Sequence, residues 1–531
     1  MSSRLDIQFE ELLAKMTSGF HHLPQWRTLI ELSHYTRNAM NIKRAYTAAL
    51  KSHPTTVFLQ ISYLRHLVAH QDHNETMMVY QDLAKNSTSV DIYRSYLEFM
   101  RYVRKFPLNV DKVYEAALDS VGCDPRSGDI WMGYIKFLCP VGASAVSQHD
   151  DKLQNLLFQA ICTPLFNIDD LWTELEHHLK QKYVAKSIVA QRLAALLPIY
   201  TTARRVSKEI AKYTAAITEA ENSVGPWYLG ALPTFCDRER ILVGKWKSYL
   251  RWEESNPMGW LGSDESLWQR RVSFAYNQAF CTLSRFPEIW FMAYSWNHQN
   301  GRRNEAMKIL SEALLINPSS YLLRFAHMEA LELENDGPGV DRTISAFILS
   351  LSGQLSSFVS NKNPPTLSHE DQDLQEQIAE YGLVYIMWMR CMLRLEGLLK
   401  FRSVFLKAVQ DPLTPWSVYE AAAYIEYHKG GGIPQAYAIF ENGLTRFKTE
   451  VGFVQRYLGF LISLNDDFNA RAVFEKTVHR FTPEDATPLW NLWFHYQSEY
   501  MPLDVIAGLK ERRPETLTSC NLFRNLFIPE C

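Results

Sequence analysis

The stretch KWKSYLRWEESNP, Lys245 to Pro257, places Trp246, Tyr249 and Trp252 within seven residues, among lysines, an arginine and two glutamates. Two explanations compete. The rings either stack a base or sugar on an exposed face, or they form the apolar stripe of one helix. Recurrence decides between them. With Trp246 numbered zero, the rings fall at 0, +3 and +6, and Tyr93/Tyr96/Phe99, Trp131/Tyr134/Phe137 and Trp490/Trp493/Tyr496 repeat that register. Weaker copies begin at Trp26, Phe58, Trp172, Trp290, Leu322, Tyr385 (with Trp388 at +3), Tyr419 and Val454. Nine of the eleven intervals between successive starts lie between 32 and 44 residues, the period of a two-helix repeat.

A second pattern follows most starts: a large residue, a small one at +3, and an aliphatic one at +4. Tyr46/Ala49/Leu50, Tyr114/Ala117/Leu118, Leu310/Ala313/Leu314, Phe405/Ala408/Val409 and Phe440/Gly443/Leu444 carry it. This is one face of a second helix, and prolines at 54, 125, 164, 287, 318 and 412 mark the turns beyond. Each repeat therefore reads as helix A, turn, helix B. The A-stripe spans roughly 120° of helix circumference, wide enough to meet its own B-helix and the neighbouring repeat. Trp131, Tyr134, Tyr93, Tyr96, Trp246, Tyr249, Trp252, Trp290, Trp388, Trp490 and Trp493 are thus expected in the repeat core, with the small +3 residue of helix B making room for a ring. The fold class is all-α, an α-solenoid.

Bulk numbers agree. The 531 residues exceed one ordinary core, 47% are hydrophobic, and the formal charge of -3 gives no global attraction to nucleic acid or anionic membrane. The N-terminal MSSRLDIQFEELLAK lacks the apolar segment of a secretory signal, and the eight cysteines form no C-x-x-C pair, so a reduced interior without a cysteine metal site is expected. Adjacent histidines, His21-His22 and His177-His178, diverge by about 100° on a helix and do not make a ligand pair. KGGG at Lys429 to Gly432 lacks the remaining residues of a phosphate loop and reads as a turn. Glu253, Glu329 and Glu426 stand at +7 of their stripes, where repetition argues for bonding to a neighbouring helix rather than catalysis. No nucleophile arrangement emerges; neither an enzyme nor a cofactor is expected.

Tetratricopeptide repeats place glycine at +4 of the first helix. Here the +4 positions hold Leu97, Ile135, Leu250, Tyr294, Ala423 and Phe494. The pattern W-x-x-Y-x-x-φ-E instead resembles the half-a-tetratricopeptide (HAT) repeat. TARRVSKEI (Thr202 to Ile210), WKSYLRWEESNP, RVSFAYNQAFCTLSRFPEIW (Arg271 to Trp290), LVYIMWMRCMLRLEGLLKFRSVFLKA (Leu383 to Ala408) and VYEAAAYIEYHKGG (Val418 to Gly431) resemble the suppressor-of-forked family, which includes the 77-kDa subunit of cleavage stimulation factor. The resemblance runs from about residue 10 to the end, through LKERR (Leu509 to Arg513) and the closing LFIPEC.

The resemblance implies an arch of about 12 HAT repeats in two halves, acting in the nucleus as a non-enzymatic scaffold in pre-mRNA cleavage and polyadenylation. It implies bridging of an RNA-binding subunit, a propeller subunit and the specificity factor, with RNA contact indirect. Family members continue into a Pro-rich region that engages the RNA-binding subunit; residues 1–531 contain no such region, which leaves that capture open. Alternative readings are a HAT scaffold in splicing or ribosomal RNA processing, or direct RNA binding by the solenoid. A homodimer through the C-terminal half is also implied; the aromatic-rich stretch from about Val418 to Phe460 suggests Trp416, Tyr424, Tyr427, Phe447 and Phe453 at its interface. Trp227, Trp260, Trp268 and Trp416 lie outside the register and suit partner contacts.

The 74-residue interval from Trp172 to Trp246 contains a long helical pattern, about Ile188 to Ala220, then NSVGPWYLGALP from Asn222 to Pro233. The expected organisation is an N-terminal half at 1–221, a linker at 222–236, a C-terminal half at 237–504 and a tail at 505–531. SNKNPPTLSHEDQD, Ser360 to Asp373, reads as an exposed loop. Arg204, Arg205 and Lys208 form a small basic face for RNA or an acidic partner, or a solvated surface.

Overall fold

A computed structural model describes residues 2–17, 23–36, 38–53, 56–69, 73–103, 110–139, 150–183, 185–225, 233–260, 262, 265–360, 369–430 and 432–512. Among them are 25 α-helices, one turn of 3-10 helix at Pro125–Ser127 and no strand. Each stripe occupies its own helix, as in Asp237–Glu254, and the second pattern occupies the next, as in Ile433–Arg446.

Four of the turns inside the hairpins share one device. Two residues past the ends of Asp237–Glu254, Pro287–Gln299, Tyr321–Leu333 and Val451–Ser463, the chain enters the left-handed region at Asn256, Gly301, Asn335 and Asn465. Each of these residues donates its main-chain N–H three residues back, at 3.0–3.2 Å. Asparagine and glycine tolerate that backbone best, so they fix where helix A ends. Pro287 opens the next helix at its first position, where its missing N–H costs nothing.

Between repeats, the ring of helix B stacks on the +3 ring of the following helix A. Tyr80 meets Tyr96, Tyr114 meets Tyr134, Phe440 meets Tyr457 and Phe474 meets Trp493, with centroids 4.7–5.3 Å apart. Such pairs contribute about 0.5–1.5 kcal/mol beyond their burial. Repeated at one position, they set the register of neighbouring hairpins.

The chain divides into two compact units, residues 1–323 and 324–531. This division differs from the halves expected around 222–236. The physical reason lies in the 39-residue helix Lys186–Val224. Its Ala203, Val206, Ile210 and Ile217 share one core with Leu242, Trp246 and Tyr249 of Asp237–Glu254, so apolar packing continues past the linker. Much of that linker, 226–232 with Trp227, lies outside the described residues, as do His21, His22, most of the tail and the loop residues 361–368. The helices Gly337–Ser360 and His369–Glu396 bracket that loop and take up part of the stretch read as loop. In the second unit, a core built on Tyr419, Phe440, Phe453, Tyr457, Phe474 and Trp493 runs through the last hairpins.

Candidate functional site

The opening stretch resolves into packing. Trp246 and Tyr249 are buried, and Trp252 is half-buried against Tyr213. Tyr93, Tyr96, Trp131, Tyr134, Trp290, Trp388, Trp490 and Trp493 are all buried. Three stripe positions differ. Phe58, Phe137 and Leu322 are exposed. In Val57–Ala69 the buried residues are Leu59, Gln60, Tyr63, Leu64 and Leu67, and in Tyr321–Leu333 they include Leu323, Ala326 and Met328. The inward face of each of these helices thus begins after the position chosen from spacing.

The acidic +7 position moves further, since it falls on Glu332 only when counted from Phe325. Glu329 is exposed. Glu332, three residues on, receives a two-pronged contact from Arg394, whose Nη2 reaches it at 2.6 Å. Glu253 and Glu426 occupy the expected place. Arg271 grips Glu253 through two bonds of 2.7 Å, with both side chains buried, and Arg402 grips Glu426 at 2.6 and 2.9 Å. Burial opposes the Arg271 charge, but the Glu253 carboxylate outweighs it and holds the guanidinium above its ordinary value. Tyr249 beside them is pushed well up by burial and then by Glu253. Each pair ties the end of one helix to a neighbouring helix, and the Arg271–Glu253 pair is closed off from solvent.

Of the dimer candidates, Trp416, Tyr424, Tyr427 and Phe447 are half-buried and keep an exposed edge. Phe453 is a correction: it is fully buried, and its ring closes on Gly443, so it has no face for a second chain. Trp268 also turns inward, donating to the Glu253 carbonyl at 3.1 Å and meeting Trp296 edge-on. Trp260 is half-buried on the same core.

The basic face is largely occupied. Arg204 pairs with Asp169 at 2.9 Å, and Arg205 with Glu209 and the Pro257 carbonyl, both at 3.0 Å. Lys208 is exposed beside them. The Asp169 carboxyl is held below its usual range, first by the Tyr200 hydroxyl and then, after the opposing effect of burial, by Arg204.

Spacing missed a cleft of about 850 Å³ in the first unit. Its walls include Asp91, Asp124, Glu219, Glu221 and Arg126. Asp124 is buried; it accepts from the Arg126 main chain at 2.8 Å and from the Gln278 amide at 2.6 Å. Glu221 accepts from the Thr282 hydroxyl at 3.3 Å, and burial raises its carboxyl above the usual range. Asp91 is already paired with Arg94 at 2.9 Å and Asp124 with Arg126 at 3.2 Å, so Glu219 and Glu221 are the wall acids that suit a further cationic side chain. No spacing rule finds this site, because Asp124 and Gln278 stand 154 residues apart.

Among the described residues there is no group of His, Cys, Asp and Glu able to hold a metal, and no helix is long and apolar enough to cross a membrane. His177 bonds Gln181, and Gly430 and Gly432 form a turn on the Glu426 carbonyl.

The family description "Suppressor of forked protein (Suf)" matches residues 8–528. The chain is 31% identical over 494 residues to the mRNA 3'-end-processing protein RNA14 of Cryptococcus neoformans, covering 81% of this chain and 45% of that one. It is 25% identical to cleavage stimulation factor subunit 77 of Arabidopsis thaliana, covering 89% and 60%, and 25% identical to the suppressor of forked protein of Drosophila melanogaster, covering 93% and 67%. The chain thus spans about half to two thirds of the length of these relatives. A crystal structure of CstF-77 superposes with a TM-score of 0.59 at 17% identity, covering 89% of this chain and 90% of that one, which shows the fold. With the buried 0/3/6 rings and the tied hairpins, these matches place the chain in the suppressor-of-forked family of HAT-repeat solenoids.

Proposed function

We propose that the chain is a non-catalytic scaffold of the nuclear machinery that cleaves and polyadenylates pre-mRNA 3′ ends. The observation that carries this reading is the family match over residues 8–528, whose relatives bear 3′-end-processing names. The structure supports a binding role over a chemical one, since Glu253, Glu332 and Glu426 are spent on inter-helix ion pairs. The scaffold bridges the RNA-binding subunit, the propeller subunit and the specificity factor, and meets RNA through them. Homodimerisation uses the C-terminal part, with the exposed edges of Trp416, Tyr424, Tyr427 and Phe447 as contacts, and doubles each docking site.

Affinity purification of the tagged chain from its own cells tests this reading. Cleavage and polyadenylation factors are expected in the eluate. Recovery of splicing or ribosomal RNA-processing particles in their place overturns it.

A further inference from the structure

A second cavity, of about 370 Å³, lies in the first unit beside the helices Val110–Val121 and Glu265–Leu283. Segments some 150 residues apart meet here: Arg270 donates to the Asp119 carbonyl, and the Asp119 carboxylate stands 3.6 Å from the same guanidinium. The wall carries two cations, Arg270 and Arg302, and the neutral donors Ser266, Ser273 and Asn277, while the Gln269 amide donates to Glu265 at 3.3 Å. Asp119 is the one carboxylate among the described wall residues, and at 82% exposure it is screened by water.

Arg302 is held in place. Its Nη1 donates to the Ser273 hydroxyl at 3.2 Å, and its guanidinium lies over the Trp296 ring, 5.8 Å from the centroid. It is also the N-cap of Arg303–Ile316, so the positive end of that 14-residue helix adds to its field. Two guanidinium forks surrounded by hydroxyl and amide donors match a tetrahedral oxyanion. A phosphoryl group has enough oxygens to engage both kinds of donor, whereas a carboxylate leaves several idle.

We propose that this cavity binds the phosphoryl group of a phosphorylated side chain on a partner protein, and that the acidic cleft beside it takes a basic residue of the same segment. The two cavities adjoin at Thr88, which lines both. A nucleic-acid strand suits this pair poorly, because it would carry further phosphates past Asp91, Asp124, Glu219 and Glu221. A segment with alternating charge suits both.

The test is fluorescence anisotropy on the full chain with three probes. These are a short peptide carrying one phosphoserine two residues from an arginine, its unphosphorylated twin, and a uridine-rich RNA oligomer. The phosphopeptide is expected to bind at least about tenfold more tightly than its twin, and Arg302→Gln to remove about that factor, the scale of a charge-assisted bond. Arg302→Lys retains part of the binding, because it keeps the charge and loses the fork. Arg303→Gln, a neighbouring cation off the cavity wall, leaves binding unchanged, and thermal melts confirm that the variants fold. Equal binding of the two peptides, equal loss in Arg303→Gln and Arg302→Gln, or RNA binding tighter than the phosphopeptide's with the same Arg302 dependence would overturn the proposal. An Arg302→Gln chain that fails to fold passes the decision to Ser273→Ala, where unchanged affinity for the phosphopeptide counts against it.

Discussion

Gly443 tests the packing of the hairpins most sharply. It lies in the helix Ile433–Arg446, where alanine should be the better helix former by about 1 kcal/mol. A Cβ at this position would stand 2.4 Å from Phe453 Cζ and 3.1 Å from both Cε atoms. Carbon atoms pack at about 3.5–4.0 Å, so the ring must retreat by roughly 1 Å. It has nowhere to go: Phe453 is fully buried, with Phe440, Phe447 and Trp416 at centroid distances of 5.9, 5.7 and 6.4 Å. Overpacking of this kind costs about 1–3 kcal/mol. In a Phe453→Ala background the space opens and only the helix gain remains. Gly443→Ala should therefore be neutral to destabilising in the native chain and stabilising in Phe453→Ala, a coupling of about 1–3 kcal/mol. Repeat arrays do not always unfold as one unit, so hydrogen exchange across Ile433–Arg446 and Val451–Ser463 is the appropriate readout. Equal stabilisation in both backgrounds would refute the reasoning that a small residue on helix B houses a ring.

Glu253→Gln leaves Arg271 buried beside a neutral group and should cost about 3–5 kcal/mol of local stability, whereas Glu253→Leu with Arg271→Met should be far milder; exchange protection in Asp237–Glu254 reads both. Trp246→Ala should lower stability by about 3–5 kcal/mol through a cavity, while an exposed ligand-stacking tryptophan would leave the melting point almost unchanged. Glu221 is protonated more readily in the folded chain than in the unfolded one, because burial raises its carboxyl. Its contribution is therefore favourable at low pH and is lost as pH rises through the folded value, so Glu221→Gln should stabilise the chain at pH 7 and give no gain below about pH 4, by thermal melts at both.

The sequence disclosed what is local and periodic. Spacings of three and six put Trp246, Tyr249 and Trp131 on buried faces, because a helix repeats its faces every few residues. The same periodicity slipped at Phe58 and Leu322, where Leu59 and Leu323 are the inward neighbours; from Leu322, +7 pointed to Glu329, and Glu332 was missed. Large apolar residues next to one another leave the phase of a helix ambiguous by one position, as at Phe58 and Leu322, while Glu332 is reached by counting seven from Phe325. Phe453 looked like an interface anchor because spacing does not show that a glycine ten residues earlier receives its ring. The approach of Asp119 and Asp124 to Arg270 and Gln278 was not legible at all, since those partners lie about 150 residues away. The cleft and the cavity are made by that approach.

Depletion and add-back in a 3′-end cleavage extract tests the central claim most directly. Removing the chain should abolish cleavage of a polyadenylation substrate, and the purified chain should restore it while cutting no RNA alone. Undiminished cleavage in the depleted extract, or RNA cleavage by the purified chain itself, would contradict the account.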